Sequence, residues 1–435
     1  MSRTSSLNVV IIGGSLSGLM HGIVLHRLGH RVHILERSMT LPEGQGAGIS
    51  CRAYTQKLLD KFDLTKVPYY ILSDKVHLLD HEGRTTRMLK ISTKTTSWLS
   101  LYYKLRINFD CFQSEFYPER IPLSRIDEAK YELGQTVVDV KCEDDHRMVV
   151  DYESTADPNG KKKSLQADLV IVADGARSRI RRVLQPKLPP PKYTGYIAWR
   201  GMVPENEISV KFRGVLTGHT SLFHGKQGHI IIYLIPGENG SLKPGERVFN
   251  WVWYCNYAEN SEELKEIMTD SDGHFYPGRY SMPIGKIRIS IWNRQKDIAA
   301  EVLPPLLADT VQKTTRPFIQ SINELRSPRA SFFDGKLLMV GDALACCRPH
   351  APSSIEQAAL NALLFHDLLQ GKITAAEWEN RALQYSHAAF LRSKSYGLYW
   401  QYGLTWELFF ALVYFGWSKV YEWVTVMMGH RSVGW

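Results

Sequence analysis

The chain has 435 residues, 44% of them hydrophobic, and 53 basic against 44 acidic side chains give it a net charge of +9. That length and apolar content support two or three packed units and exclude a disordered or low-complexity chain. The basic excess is dispersed, with Lys161, Lys162 and Lys163 in a Pro/Asn/Gly turn and Arg177, Arg179, Arg181 and Arg182 beyond a strand end. No nucleic-acid motif accompanies it, so nucleic acid is not an expected partner.

Six cysteines (Cys51, Cys111, Cys142, Cys255, Cys346 and Cys347) are scattered without C-x-x-C spacing. This argues for a reducing compartment and against a disulfide framework or a zinc site. The opening MSRTSS leads straight into a strand pattern, so a cytoplasmic chain without a secretory leader is expected.

In chain order, residues 8–12 (NVVII) read as a buried parallel strand, followed by Gly13-Gly14-Ser15-Leu16-Ser17-Gly18, a helix over 19–28, Gly29 as its stop, and a second strand over 31–35 ending in Glu36. Strand, glycine turn, helix, strand and an acid some twenty residues on is the dinucleotide fingerprint. The helix N-terminus offers unsatisfied N–H donors to a pyrophosphate, and Glu36 is placed to accept from a ribose diol. Ser15 stands where the fingerprint has its second glycine.

Arg37 and a loop lead to Gly46-Ala47-Gly48-Ile49, small residues against which something flat can lie. A helix is expected over 53–62, a hairpin around Glu82-Gly83, a helix over 97–106, and strands over 137–141 and 148–153. Residues 169–173 (LVIVA) form another buried strand ending in Asp174-Gly175, within a D-G-x-x-S-x-x-R pattern through Arg181. Beyond a proline-rich joint at 186–191, β-like runs at 196–203, 229–235, 248–254 and 287–291 predict an antiparallel sheet in a separate layer.

A helical stretch over 304–314, continuing to about 325, precedes a third strand over 336–340 with its own acid, Gly341-Asp342. Arg348-Pro349-His350 follows. Ser353 and Glu356 read as a capping box opening a helix, and Thr374 with Glu377 as a second one. The tail holds an apolar run at 408–417, interrupted by Lys419 and Glu422 before 424–428. That is short of the twenty or so apolar residues a spanning helix needs, so helix packing on the body, an oligomer contact through 404–428, or peripheral membrane association is expected.

Three strands, each ending in a turn with a polar anchor, resemble the FAD-binding signatures of the class A flavoprotein aromatic hydroxylases, single-component monooxygenases with the p-hydroxybenzoate hydroxylase fold. The resemblance covers 8–365. Gly13–Gly18, Ala198-Trp199-Arg200-Gly201, and Gly341-Asp342 with Arg348-Pro349-His350 are most similar to the 2,6-dihydroxypyridine 3-hydroxylase-like branch.

It implies an α/β Rossmann-like FAD-binding domain (1–68, 95–190 and 326–371), an inserted antiparallel-sheet substrate domain (69–94 and 191–325) and a helical extension (372–435). By resemblance, Gly13, Gly14, Ser15, Ser17 and Gly18 hold the pyrophosphate, Glu36 the adenosine ribose and Asp342 the ribityl chain, and Arg37 is a further cofactor-binding candidate. Gly48 and Ile49 meet the isoalloxazine, and Asp174-Gly175 serves both FAD and the nicotinamide. The helix start at Ser353, Ser354 and Ile355 faces the charge of the reduced ring.

The implied reaction is hydroxylation of an electron-rich aromatic or heteroaromatic molecule by O2 and NADPH or NADH through a flavin C4a-hydroperoxide. A same-fold epoxidase of a larger secondary metabolite, or a non-oxygenating flavoprotein, stays open as an alternative. His350 is the candidate base or hydrogen-bond partner. Arg200 and Arg348 either attract an acidic substrate or form internal ion pairs.

Overall fold

A computed structural model describes residues 6–42, 47–143, 147–157, 159–226, 228–278 and 281–427, with side chains as far as 417. The glycine-turn strand Asn8–Ile12 is central to a six-stranded sheet in the order Ser331–Phe332, Leu337–Met339, Leu169–Val172, Asn8–Ile12, Arg31–Leu35, Ala129–Glu132. All neighbours are parallel except the first pair. Burial on both faces is why these strands read as unbroken Val/Ile/Leu runs. The helix after the turn, α1 (Leu16–Arg27), begins three residues earlier than its periodicity predicts, so Gly18 lies in its first turn.

Helix α2 (Ala53–Phe62) has the expected bounds. Helix α3 (Trp98–Asp110) is capped by the Ser97 hydroxyl, which accepts from Ser100 N, and it outruns the expected end. The short helix α4 (Arg179–Leu184) follows the Asp174 turn, and Ser178 caps it. Strands Gln135–Cys142, Met148–Ser154 and Lys163–Ala167 make a three-stranded antiparallel sheet.

The separate layer exists, as an eight-stranded sheet. Lys192–Pro204 pairs antiparallel with Val248–Asn256 on one side and Phe318–Arg326 on the other. Val248–Asn256 pairs in turn with Gly228–Ile235. One face carries Trp199, Trp251 and Trp253 into an apolar core. That core is closed by α5 (Val210–Leu216), α6 (Glu262–Ile267), α7 (Ile289–Val302) and α8 (Pro305–Gln312). The opposite face carries Tyr196, Ala198, Val252 and Tyr254.

Two expectations fail here. Residues 287–291 are not a strand: Ile289 starts α7, and Ile291, Trp292, Gln295 and Ala299 are its buried, helically spaced face. The alternation Ile287–Ile289–Ile291 is too short to distinguish the two periods. Helix α8 stops at Gln312 ahead of Pro317, and Phe318–Arg326 is a strand.

Helices α9 (Ser353–Leu369), α10 (Ala375–Tyr402) and α11 (Trp406–Met427) complete the chain. The capping box at Thr374 and Glu377 is present. Residues 424–427 continue the helix, while Met428 lies outside the described residues, as does Gly46. All six cysteines are free thiols.

Candidate cofactor and substrate site

The three polar turns meet at the carboxyl edge of the six-stranded sheet because their strands are parallel neighbours, the position where open α/β sheets bind ligands. Gly13 has φ +100°, and a Cβ there would lie 2.4 Å from Ala173 O; a Cβ on Gly18 would lie 2.0 Å from Gly13 O. A side chain is therefore excluded at both glycines on steric grounds. Glu36 Oε2 accepts from Gly14 N at 2.7 Å and Oε1 from Ser38 N at 2.8 Å. Arg37 is exposed beside it.

A residue without a sequence signal, Tyr131, holds the other side of the turn. Arg106 donates to Tyr102 Oη (3.0 Å), the Tyr102 and Tyr131 hydroxyls are 3.1 Å apart, and Tyr131 donates to Gly14 O (2.9 Å). The Arg106 guanidinium also lies 3.8 Å over the Tyr131 ring. The peptide of Gly14 is thus gripped at both its N–H and its carbonyl.

Asp174 Oδ2 accepts from Arg179 N and Ile180 N, while Gly175 has φ +81°. Arg181, the last residue of the D-G-x-x-S-x-x-R pattern, donates to Ala176 O and to Ala343 O, lacing this turn to the Asp342 turn. A Cβ on Gly341 would meet Ser17 Oγ at 2.6 Å, so the first turn of α1 abuts the third polar turn. Gly341 N donates to Asn361 Oδ1, and Gln357 donates to Gly341 O. Burial pushes the Asp342 carboxyl up, against a hydrogen bond from Ser354.

Gly48 heads the strand Gly48–Cys51, its N–H donating to Asn250 Oδ1 at 2.9 Å. A Cβ on Gly48 would come within 2.7 Å of Asn250 and of Tyr233, and Ile49 follows in the same strand. Arg200 reaches across from the eight-stranded sheet, donating to Gly48 O (3.3 Å) and to Gln320 Oε1 (2.8 Å). Among the described residues no carboxylate pairs with Arg200, and its Nε–H is buried without a partner. Arg348 behaves differently: its Nε donates to Glu324 Oε2 at 2.7 Å, with both residues buried, so it forms the internal ion pair and is not free to meet an acidic substrate.

The start of α9 corrects one expectation. Ser353 does not cap the helix and Glu356 does not reach back to it; the N-cap is Pro352, without a side-chain bond. The Glu356 carboxylate accepts instead from Arg52 N (2.9 Å), Tyr54 N (2.8 Å), Thr55 N (3.3 Å) and the Thr55 hydroxyl (2.5 Å). It caps α2, whose own N-cap residue makes no side-chain bond. The S-x-x-E pattern is identical in both uses, and only the approach of α2 separates them.

These residues fit a bound dinucleotide cofactor. The N-termini of α1 and α9 have no side-chain caps, leaving their N–H donors for a ligand. Ser17 Oγ, Asp342 Oδ1, Asp174 Oδ1, Ser353 Oγ and Asn250 Nδ2 are buried without partners among the described residues. A phosphate- and hydroxyl-rich molecule with a polar ring satisfies that set.

Comparison with known proteins agrees. Residues 6–65 match a family model described as an FAD binding domain, and 193–324 one described as FAD binding domain-like. The chain is 28% identical to the 2,6-dihydroxypyridine 3-monooxygenase of Paenarthrobacter nicotinovorans, over 97% of this chain and 98% of that one. It is 23% identical to the asperlicin C monooxygenase of Petromyces alliaceus, over 85% and 74% of the two chains. The structure of 2,6-dihydroxypyridine-3-hydroxylase from Arthrobacter nicotinovorans superposes with a TM-score of 0.76 at 24% identity, covering 92% of this chain and 94% of that one. Glycine turn, paired polar turns and sheet wall make the chain similar to the class A flavoprotein hydroxylases, the 2,6-dihydroxypyridine 3-hydroxylase branch included, and support an FAD-dependent monooxygenase.

Proposed function

We propose that this enzyme hydroxylates an electron-rich aromatic or heteroaromatic small molecule, with NADPH or NADH as reductant and O2 as oxidant. Bound FAD supplies the hydride acceptance and oxygen activation. The observation that carries the reading is Arg200: a half-buried guanidinium without a carboxylate partner among the described residues, beside Gly48, on the sheet face that also presents Asn250, Tyr233 and Tyr254. A cation so placed draws in an ionised ring oxygen or an acidic group, and the surrounding rings exclude water from the reacting carbon.

In this reading Gly13 and Gly14, whose N–H groups are taken by Leu35 O and Glu36, shape the turn, while Ser15, Ser17 and Gly18 hold the pyrophosphate and Glu36, with Arg37 beside it, the adenosine ribose. Asp342 holds the ribityl hydroxyls, and Asp174 with Gly175 borders the cofactor at the neighbouring turn. Gly48 and Ile49 lie along the ring, with Ser353, Ser354 and Ile355 offering N–H donors and the positive end of α9 at its far side. Turnover of a panel of hydroxypyridines and phenols under 18O2 tests the function. One labelled oxygen in the product is expected, whereas peroxide alone with every compound would sink the hydroxylase reading. Arg200→Met is expected to raise KM for an anionic substrate roughly tenfold to a hundredfold while the enzyme keeps its FAD; an unchanged KM removes Arg200 from the substrate site.

Asp342→Ala is expected to weaken FAD retention roughly five- to a hundredfold, since it leaves ribityl hydroxyls unpaired at about 1–3 kcal/mol. Titration of the FAD-stripped protein with FAD, followed by flavin fluorescence, reads the effect. An unchanged Kd moves the ribityl site elsewhere.

The outer face of α11 is a second surface. Trp406 is 79% exposed and Trp417 68%, with Phe409, Phe410 and Tyr414 between them, while Leu408 and Ala411 pack inward. No helix among the described residues is long and apolar enough to cross a membrane. This face is proposed as a contact for a membrane surface or a second copy in a cytoplasmic enzyme. Vesicle sedimentation and light scattering distinguish the two, and a monomer that ignores vesicles excludes both.

A further inference from the structure

The imidazole of His350 is bracketed by Tyr196, Tyr254 and His229 of the eight-stranded sheet, with ring centroids 5.6, 4.6 and 5.2 Å away. Its two nitrogens are in different situations. Nε2 lies 2.7 Å from the Tyr196 hydroxyl, whereas Nδ1 is buried without a partner among the described residues.

What sets the tautomer lies behind Tyr196. The Arg348 guanidinium, fixed by Glu324, packs against the tyrosine with its carbon 5.8 Å from the ring centre. A Cβ on Gly397 of α10 would lie 2.7 Å from Tyr196 Oη, 2.8 Å from Arg348 Cδ and 3.0 Å from His350 Cδ2, so that helix seals all three in place. Burial pushes the Tyr196 phenol up, only partly offset by the cation, so it keeps its proton.

A guanidinium has donors and no acceptor. The phenol oxygen therefore turns its lone pairs toward Arg348 and its O–H toward His350 Nε2. A nitrogen that accepts leaves the ring proton on the other one. Burial, with His229 and Arg348 nearby, holds His350 well below its usual range, so the ring is neutral.

We propose that Glu324, Arg348 and Tyr196 are positioning residues that fix His350 as the Nδ1–H tautomer, which donates to an acceptor oxygen of the substrate, a ring carbonyl or ionised ring hydroxyl, instead of removing a proton from it. This rests on the hydroxylase reading of the site, but the tautomer is measurable without substrate.

Long-range 1H–15N spectra of the FAD-loaded, 15N-histidine-labelled enzyme, assigned by loss of signals in His350→Asn, are expected to show a pyrrole-like Nδ1 and a pyridine-like Nε2 between about pH 6 and 9. Tyr196→Phe is expected to lose that fixed assignment. A pyridine-like Nδ1 in the wild-type enzyme overturns the proposal, and that spectrum decides even if the tyrosine variant does not fold.

Kinetics give the second readout. His350→Asn, whose amide supplies a donor in place of Nδ1–H, is expected to stay within about tenfold of wild-type kcat/KM, while His350→Asp, with acceptors only, loses about a hundredfold. If Asn and Asp are equally impaired, Nδ1 works as a base and the donor role fails. Failure of the hydroxylase reading would appear separately, as absence of 18O-labelled product from the wild-type enzyme.

Discussion

Glu356→Ala is expected to destabilise the protein by about 3 kcal/mol, more than loss of an ordinary helix cap, which costs about 0.5–2 kcal/mol. The carboxylate serves three backbone N–H groups and one hydroxyl, and its residue is only 4% exposed, so water cannot replace it without opening the α2–α9 contact. Each orphaned donor carries a desolvation cost of about 1–3 kcal/mol, part of which local relaxation recovers.

The consequence reaches the cofactor because the two segments joined by Glu356 are the ones proposed to flank the flavin ring. Strand Gly48–Cys51 runs directly into α2, and Glu356 lies one residue beyond Ile355. Glu356→Gln keeps one acceptor oxygen and turns an N–H toward donors, so an intermediate loss is expected. Urea denaturation of both variants, with and without FAD, measures this. A change below about 0.5 kcal/mol, the scale of neutral surface substitutions, would mean that α2 does not need the cap.

Arg348→Met is the second large effect, with an expected loss of about 3–5 kcal/mol from stranding Glu324 as an unpaired buried carboxylate. The double variant Arg348→Met with Glu324→Leu is expected to recover most of that loss, because removing both charges also removes their desolvation cost. A double-mutant cycle from denaturation midpoints checks it, and additive losses would show that the pair is not coupled. The double variant should still alter His350, since Tyr196 then lacks the cation that orients its hydroxyl. Stability and tautomer are thereby separable in one protein.

The sequence reading succeeds wherever the signal is local. Strand 8–12, the glycine turn, helix 53–62 and the strand before Asp174 are each specified by a few consecutive residues whose burial and backbone demands leave little choice. It fails at 287–291, where three alternating isoleucines satisfy a strand and the first turn of a helix equally. It fails again at 318–326, where a helix directly upstream and an irregular burial pattern leave no clear period. Tyr131 has no signal because its role depends on a strand reached only after more than ninety intervening residues.

By itself the sequence determined that parallel strands end in three polar turns, that a dinucleotide belongs there, and that a second, antiparallel layer follows. These follow from periodicity and from glycine positions that admit no side chain. Only the tertiary structure decided how the charged and polar side chains are used. Arg348 is consumed by Glu324 while Arg200 meets no carboxylate among the described residues, Glu356 caps a helix three hundred residues earlier in the chain, and Tyr196 meets His350. The reason is physical: a buried polar group takes whichever partner the packing brings within about 3 Å, and sequence neighbours do not reveal who that partner is.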